Sequence, residues 1–81
     1  MPRFFLNLRH RGRLFPDNEG DLLPDAAAAR AHALETARDL IANGRMDSIR
    51  NWYDCAFEIA DESGKVVETV PFGDAVAEPE A

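Results

Sequence analysis

The sequence predicts an α+β fold in the order β-β-α-β-β, with a mainly antiparallel sheet and one amphipathic helix packed on one face. Two segments, residues 3–9 and 52–60, alternate apolar and polar side chains with the period of two that is typical of strands. An alanine-rich segment between them has the period of a helix. We expect one small domain over residues 1–72 and an acidic, flexible C-terminal tail over residues 73–81.

The first hairpin is predicted over residues 3–15. Phe4, Leu6 and Leu8 alternate with polar or outward residues, which gives the first strand one apolar face. Gly12 provides the permissive backbone of a tight turn, so that residues 13–15 return as a short second strand before a proline. The following residues 16–21 are rich in turn-forming types and predict a loop.

The helix is predicted to begin next to Pro24 and to end near Asn43. Either Asp25 caps the first turn, or Pro24 occupies the first helical position; the sequence leaves both open. Gly44 is a natural terminator. The apolar positions at helical spacing are Ala29, Ala33, Leu34, Ala37, Leu40 and Ile41.

A second hairpin is predicted from the strand over residues 52–60, the turn at 61–64 and a strand over 65–70. Pro71 ends this last strand, and Phe72 is expected to fold back onto the core. The sequence does not specify the order of the strands in the sheet.

One sheet face is predicted to remain without a helix. Phe5, Trp52, Ala56 and Ala60 should point away from the helix and form an aromatic and small-residue patch that a monomer exposes. We expect homodimerisation through this face or through a strand edge, and a further protein partner is compatible with the same surface.

A basic cluster at the first turn is the second candidate site. Arg9, Arg11 and Arg13 could hold a phosphate group by bidentate hydrogen bonds. They belong to a segment, residues 1–13, of formal charge +4, whereas the rest of the chain carries −10. The interpretation we favour is that these arginines form ion pairs with Asp54, Glu58 or the acidic loop, residues 16–21.

The sequence offers no pattern typical of an enzyme, a cofactor or a metal site. The acidic loop lacks the spacing of an EF-hand and its residues are those that turns require, and Cys55 lies on an apolar strand face, where a thiol has a structural role. The net charge of −6 disfavours nucleic acid and anionic membranes as partners. No apolar segment approaches the length of a membrane span, and we expect a cytoplasmic protein.

The chain resembles a family of short proteobacterial proteins classed as a domain of unknown function. The motifs that carry the resemblance are Met1–Phe5, Pro16–Asp17 with Glu19–Gly20, Leu23–Asp25, Ala28–Ala31, Asp61–Gly64 and Val70–Phe72. The resemblance covers nearly the whole chain and implies a single domain, without any activity or site. The bulky segment Ile49–Cys55 departs from the family pattern. The order of elements is also similar to that of small, partially RNase-H-like antitoxins, an analogy of fold only.

These observations lead to two hypotheses about function. The first is a non-enzymatic, homodimeric interaction module that binds protein through the uncovered face or an unpaired strand edge. The alternative is a regulator that binds nucleic acid or a phosphorylated ligand through the arginine-rich first hairpin, and this hypothesis predicts salt-sensitive binding.

Overall fold

The computed structural model describes residues 1–42 and 54–76, and it confirms the α+β fold. An antiparallel sheet carries one long helix and one short helix. The elements are β1 (Arg3–His10), β2 (Arg13–Phe15), β3 (Asp21–Leu22), α1 (Ala26–Ala42), β4 (Cys55–Ala60), β5 (Val66–Pro71) and α2 (Phe72–Val76). Neither helix has the length and apolar character needed to span a bilayer.

The sheet has the strand order β2-β1-β4-β5, and every pairing is antiparallel. The short strand β3, which falls in the predicted loop, pairs with the first residues of β1, whereas β2 pairs with its last residues. The loop between β2 and β3 lies against the middle of β1, where Asp17 Oδ2 accepts the N–H of Leu6 at 3.1 Å. β2 and β3 therefore act as two parts of one interrupted strand.

The helix α1 begins as the first of the two alternatives predicts. Asp25 is its cap, because Asp25 Oδ1 accepts the N–H of Ala28 at 2.9 Å. Ala29, Ala33 and Ala37 are fully buried, and small side chains at these positions let the helix backbone approach the sheet closely. The predicted larger members of this face, Leu34, Leu40 and Ile41, pack partly buried against the core. The predicted terminator Gly44 lies outside the described residues.

The core lies between α1 and one face of the sheet. Phe72 is completely buried, as predicted, and its ring lies 5.0 Å from that of Phe57, centroid to centroid. The short helix α2 was not predicted from the sequence, where residues from 73 onward are assigned to a flexible tail. Ala75 is buried, and its carbonyl oxygen accepts a hydrogen bond from Arg38 Nε at 3.0 Å. The packed domain thus continues into the predicted tail, of which residues 77–81 are not described.

The two hairpin turns differ in how they use their side chains. In the β1–β2 turn, both central residues have positive φ, 50° at Arg11 and 82° at Gly12, as a type I′ turn requires. In the β4–β5 turn, Asp61 Oδ1 accepts the N–H groups of Ser63 and Lys65. The hydrogen bond from the Ser63 hydroxyl has the largest effect on the pKa of Asp61. Together with these backbone hydrogen bonds it lowers that pKa.

Candidate interaction surface

We call the sheet face turned away from α1 and α2 the open face. Strand alternation and register define it, because the residues between its members on β1 and β4 belong to the buried core or pack against it. Its members are Arg3, Phe5, Asn7, Arg9, Leu14, Leu22, Ala56, Glu58, Ala60, Val66, Thr69 and Pro71.

Large apolar side chains are exposed on the open face. Leu14 is 42%, Leu22 52% and Val66 47% exposed, and they are three of the five large apolar side chains exposed in the described part of the chain. Val66 takes this position because a β-bulge at Ile59 and Ala60 shifts the β4–β5 register there, while Val67 packs partly against the core. Leu14 and Leu22 lie towards opposite ends of one edge of the open face, and Val66 lies on its other edge. Exposed apolar side chains in these positions are available for burial against a partner.

The residues predicted to form the interface have different environments. Phe5 and Ala56 are half-buried. Gly20 from the β2–β3 loop lies against Phe5, so closely that a Cβ on this glycine would be 2.9 Å from Phe5 Cδ2. The expected exposure of Ala60 is wrong: it is only 5% exposed, because its methyl group lies between the larger side chains of its neighbours Phe5 and Val66. Trp52 lies outside the described residues.

On the open face, large and small side chains stand opposite each other on the neighbouring strands β1 and β4. On β1, Phe5 and Arg9 have long side chains, whereas their cross-strand partners on β4 are Ala60 and Ala56. Since paired residues point to the same side of the sheet, the large side chains stand beside the small ones. This relief gives the surface a defined shape.

The central polar group of the open face is the ion pair of Arg9 with Glu58. Arg9 Nε donates to Glu58 Oε2 at 3.0 Å, and Nη2 donates to Oε1 at 3.3 Å. This hydrogen bonding raises the pKa of the Arg9 guanidinium above its usual value, and the group is charged at neutral pH. Arg9 Nη1 also donates to the carbonyl of Gly12 at 3.3 Å, which ties the first turn to the sheet.

The other two predicted anion-binding arginines also have partners within the chain. Arg11 Nε lies 3.0 Å from Asp54 Oδ2, and the Arg13 guanidinium lies over the Phe15 ring at 5.4 Å from its centroid. Two of the three predicted guanidinium groups are therefore paired with the carboxylates of Asp54 and Glu58, as the favoured interpretation of the sequence expects.

In the acidic loop, the carboxylate of Asp17 accepts hydrogen bonds from backbone N–H groups. Asp17 Oδ1 accepts the N–H groups of Glu19 and Gly20, both at 3.1 Å, in addition to the Leu6 N–H on Oδ2. Partial burial by itself would raise the pKa of Asp17, but these three hydrogen bonds outweigh it and lower the pKa. In the described residues, no group of three His, Cys, Asp or Glu side chains is arranged to hold a metal ion.

Arg30 joins α1 to β5 and α2 by ion pairs, and Cys55 is buried in the core. Arg30 of α1 pairs with Glu68 at 3.0 Å and with Asp74 at 3.6 Å. These pairs were not predicted, because the sequence does not specify how α1 packs against β5 and α2. Cys55 is buried, and burial raises the pKa of its thiol above the usual value. The thiol therefore stays protonated, as expected of a structural cysteine.

Comparison with known proteins gives a family. The family model described as Domain of unknown function (DUF6894) matches residues 3–73. The matched segment extends from the start of β1 into α2. The chain shows no match to a curated protein or to a solved structure. The family resemblance expected from the sequence motifs is confirmed, and its description assigns no activity.

Proposed function

This chain belongs to the DUF6894 family of domains of unknown function, and from its surface we propose that it is a non-enzymatic protein-binding module that forms a homodimer through the open face. The observation that carries this proposal is the exposure of Leu14, Leu22 and Val66 on the open face. Burial of such side chains in an interface is favourable by about 25 cal/mol per Å² of apolar surface. We place the module in the cytoplasm, where a free thiol such as that of Cys55 is common.

The charge distribution also supports the open face as the site of self-association. The whole chain carries −6, so that two copies repel each other over most orientations. The charged residues of the open face are Arg3, Arg9 and Glu58, which give this face a formal +1. Two acidic molecules that meet through these faces therefore avoid the repulsion that their other surfaces would produce.

Two neighbouring residues on β2 provide a matched test. Leu14 and Phe15 are 42% and 44% exposed, but successive strand residues point to opposite faces of the sheet. We expect sedimentation velocity at micromolar concentration to show a dimer for the wild type and for Phe15→Asp. Leu14→Asp should raise the dimer dissociation constant at least about tenfold, since its carboxylate would lose water on burial.

The outcomes of this test separate specific association from general surface effects. A monomeric wild type at these concentrations would contradict the proposal. Equal weakening by Leu14→Asp and Phe15→Asp would place the interface at the strand edge and away from the open face. Far-UV circular dichroism of both variants controls for loss of the fold.

The alternative function is the binding of nucleic acid or a phosphorylated ligand by Arg9, Arg11 and Arg13. The observation that favours it is the exposed Arg13–Phe15 pair, since stacked cationic and aromatic groups suit a base and its phosphate. It has less support, because Arg9 and Arg11 already bind carboxylates. Fluorescence anisotropy with labelled single-stranded DNA at low salt tests it: binding that Arg9→Ala/Arg11→Ala abolishes would favour this alternative.

A further inference from the structure

We propose that two copies of this chain join their open faces about a two-fold axis parallel to the strands, so that β1 of each copy lies over β4 of the other. This arrangement rests on the proposed function, because it assumes that the open face is the homodimer interface. The occupant of the open face is thus a second copy, and three properties of the surface favour it in this orientation.

The first property is shape. Within one chain, Phe5 pairs with Ala60 and Arg9 pairs with Ala56 at the same levels of the sheet. Consider a two-fold axis that lies between the two faces, parallel to the strands and midway between β1 and β4. It places β1 of one copy over β4 of the other and keeps each residue at its level along the strands. Each long side chain of β1 then lies over a small one of the partner's β4. Side chains of two stacked sheets interdigitate in this way at a sheet separation of about 10 Å.

The competing orientation lacks this fit. The competing two-fold axis also lies between the two faces but runs perpendicular to the strands, at the level of Asn7 and Glu58. It places each strand over the same strand of the partner and reverses the order of the residues along it. Phe5 would then face the partner's Arg9, and Ala60 would face the partner's Ala56. Large side chains would collide while small ones left a gap, and unfilled space of this kind is unfavourable in a packed interface.

The second property is charge. Glu58 lies two residues along β4 from Ala56, the residue that pairs with Arg9. When β1 of one copy lies over β4 of the other, Arg9 reaches the partner's Glu58 along the same diagonal that it uses within its own chain. Two arginines and two glutamates then alternate in sign at the centre of the dimer, and such groups fix orientation even where they add little affinity.

The third property is the chemistry of the two edges. Leu14 on β2, Arg9, Ala56 and Pro71 on β5 form one row across the sheet. Exchange of β1 with β4 also exchanges β2 with β5, so that Leu14 lies over the partner's Pro71. Both side chains are exposed in the single chain and would bury apolar surface at the two rims of the dimer.

Cross-linking between these rims tests the orientation. Leu14→Cys and Pro71→Cys proteins are mixed in equal amounts, allowed to exchange subunits and treated with a bismaleimide of about 8 Å span. The native Cys55 is buried and protonated and should remain unreactive. We expect a cross-linked heterodimer by mass spectrometry. Each variant alone should give none, because β2 and β5 lie three strand spacings apart, about 14 Å.

Charge exchange provides a second, independent measurement. Arg9→Glu and Glu58→Arg each place like charges together, so each homodimer should dissociate at least about tenfold more readily than the wild type. An equimolar mixture restores opposite charges across the interface, and its heterodimer should recover an affinity within about threefold of the wild type. The matched control is Arg11→Glu mixed with Asp54→Arg, an ion pair outside the open face, which should show neither the loss nor the recovery.

Failure of this inference is distinguishable from failure of the proposed function. A monomeric wild type overturns both. A dimeric wild type that Leu14→Asp dissociates, but that gives no Leu14–Pro71 cross-link, overturns the orientation and leaves the open face as the interface. Recovery absent from the Arg9→Glu and Glu58→Arg mixture, with both variants folded by circular dichroism, overturns the exchange of charges between copies.

Discussion

Asp17 is the residue that holds the interrupted edge of the sheet together. Its carboxylate accepts three backbone N–H groups, and its own N–H donates to Asn7 Oδ1 at 2.9 Å. The Leu6 N–H lies on β1 between the parts that pair with β2 and β3, where no strand residue accepts it. The Asp17 side chain therefore accepts the hydrogen bond that a neighbouring strand would otherwise accept at this point.

Replacement of Asp17 should destabilise the protein. Asp17→Ala leaves the half-buried Leu6 N–H group without its acceptor, which costs about 1–3 kcal/mol in free energy of unfolding. Urea denaturation at neutral pH measures the change. Asn18→Ala, an exposed neighbour in the same loop, should change the free energy by less than about 0.5 kcal/mol. Equal effects of both variants would contradict the role assigned to Asp17.

The pKa of Asp17 predicts how this contribution depends on pH. Because hydrogen bonding lowers its pKa in the folded state, its contribution is fully present above the unfolded value of about 3.9 and is lost as pH falls through the folded value. The difference in stability between the wild type and Asp17→Asn should therefore be constant near neutral pH and shrink below about pH 4. Urea denaturation between neutral and acidic pH checks this, and a constant difference would refute it.

Arg11 occupies a backbone conformation that favours glycine. Its φ of 50° lies in the left-handed region, which costs an ordinary residue about 1 kcal/mol. Arg11→Gly and Arg11→Ala both remove the exposed ion pair with Asp54, but only glycine relieves the backbone. We expect Arg11→Gly to be about 1 kcal/mol more stable than Arg11→Ala in thermal unfolding. Equal stabilities would show that the turn is not strained at this residue.

At the level of the elements, α1 approaches the sheet through a row of alanines. Ala29, Ala33 and Ala37 have no exposed surface. Their close packing is possible because the side chains are small, and the larger Leu34, Leu40 and Ile41 fill the flanks. The helix is further joined to β5 and α2 by the pairing of Arg30 with Glu68 and Asp74. The size of the side chain at the centre of the row thus sets the distance between helix and sheet.

Enlargement of this row should be unfavourable. Ala33→Leu inserts three carbons into filled space and should destabilise the protein by about 1–3 kcal/mol, seen as a lower melting temperature. Ala31→Leu adds the same atoms two residues away, on the exposed side of α1, and should change stability by less than about 0.5 kcal/mol. A tolerated Ala33→Leu would mean that the helix can move away from the sheet without loss.

At the scale of the whole molecule, the sheet has two unlike faces. One is covered by both helices and contains the core, and the other combines exposed apolar side chains with one central ion pair. A chain of this length buries a limited fraction of its surface, so we expect its stability to be modest without association. Under the proposed function, the second copy provides the missing burial.

This proposal predicts that stability depends on protein concentration. Association stabilises the folded state by mass action, so the melting temperature of the wild type should rise between about 1 and 100 μM protein. Phe15→Asp should show the same rise. Leu14→Asp should have a melting temperature independent of concentration, because its open face no longer associates. A wild-type melting temperature without concentration dependence would contradict a dimer that is linked to folding.

The elements with strong local signals could be predicted from the amino-acid sequence alone. The alternation in β1 and β4, the cap at Asp25, the alanine row of α1 and the burial of Phe72 follow from periodicity and residue chemistry, which act over a few neighbours. Glu58 was also among the predicted partners of Arg9, because opposite charges on a small sheet can form ion pairs. The strand alternation, the cap and the alanine row depend mainly on neighbouring residues, whereas the Arg9–Glu58 pair joins residues 49 apart in the chain.

Other features depend on contacts between distant segments and could be seen only in the folded chain. The order of the strands, the pairing of β3, the packing of α2 and the burial of Ala60 each require a partner from elsewhere in the chain. Two-residue β3 and five-residue α2 are too short to show a period of their own. Ala60 is buried by its cross-strand neighbours, and the register of the strands determines which residues those neighbours are. The exposure of a small side chain depends on the size of the residues beside it.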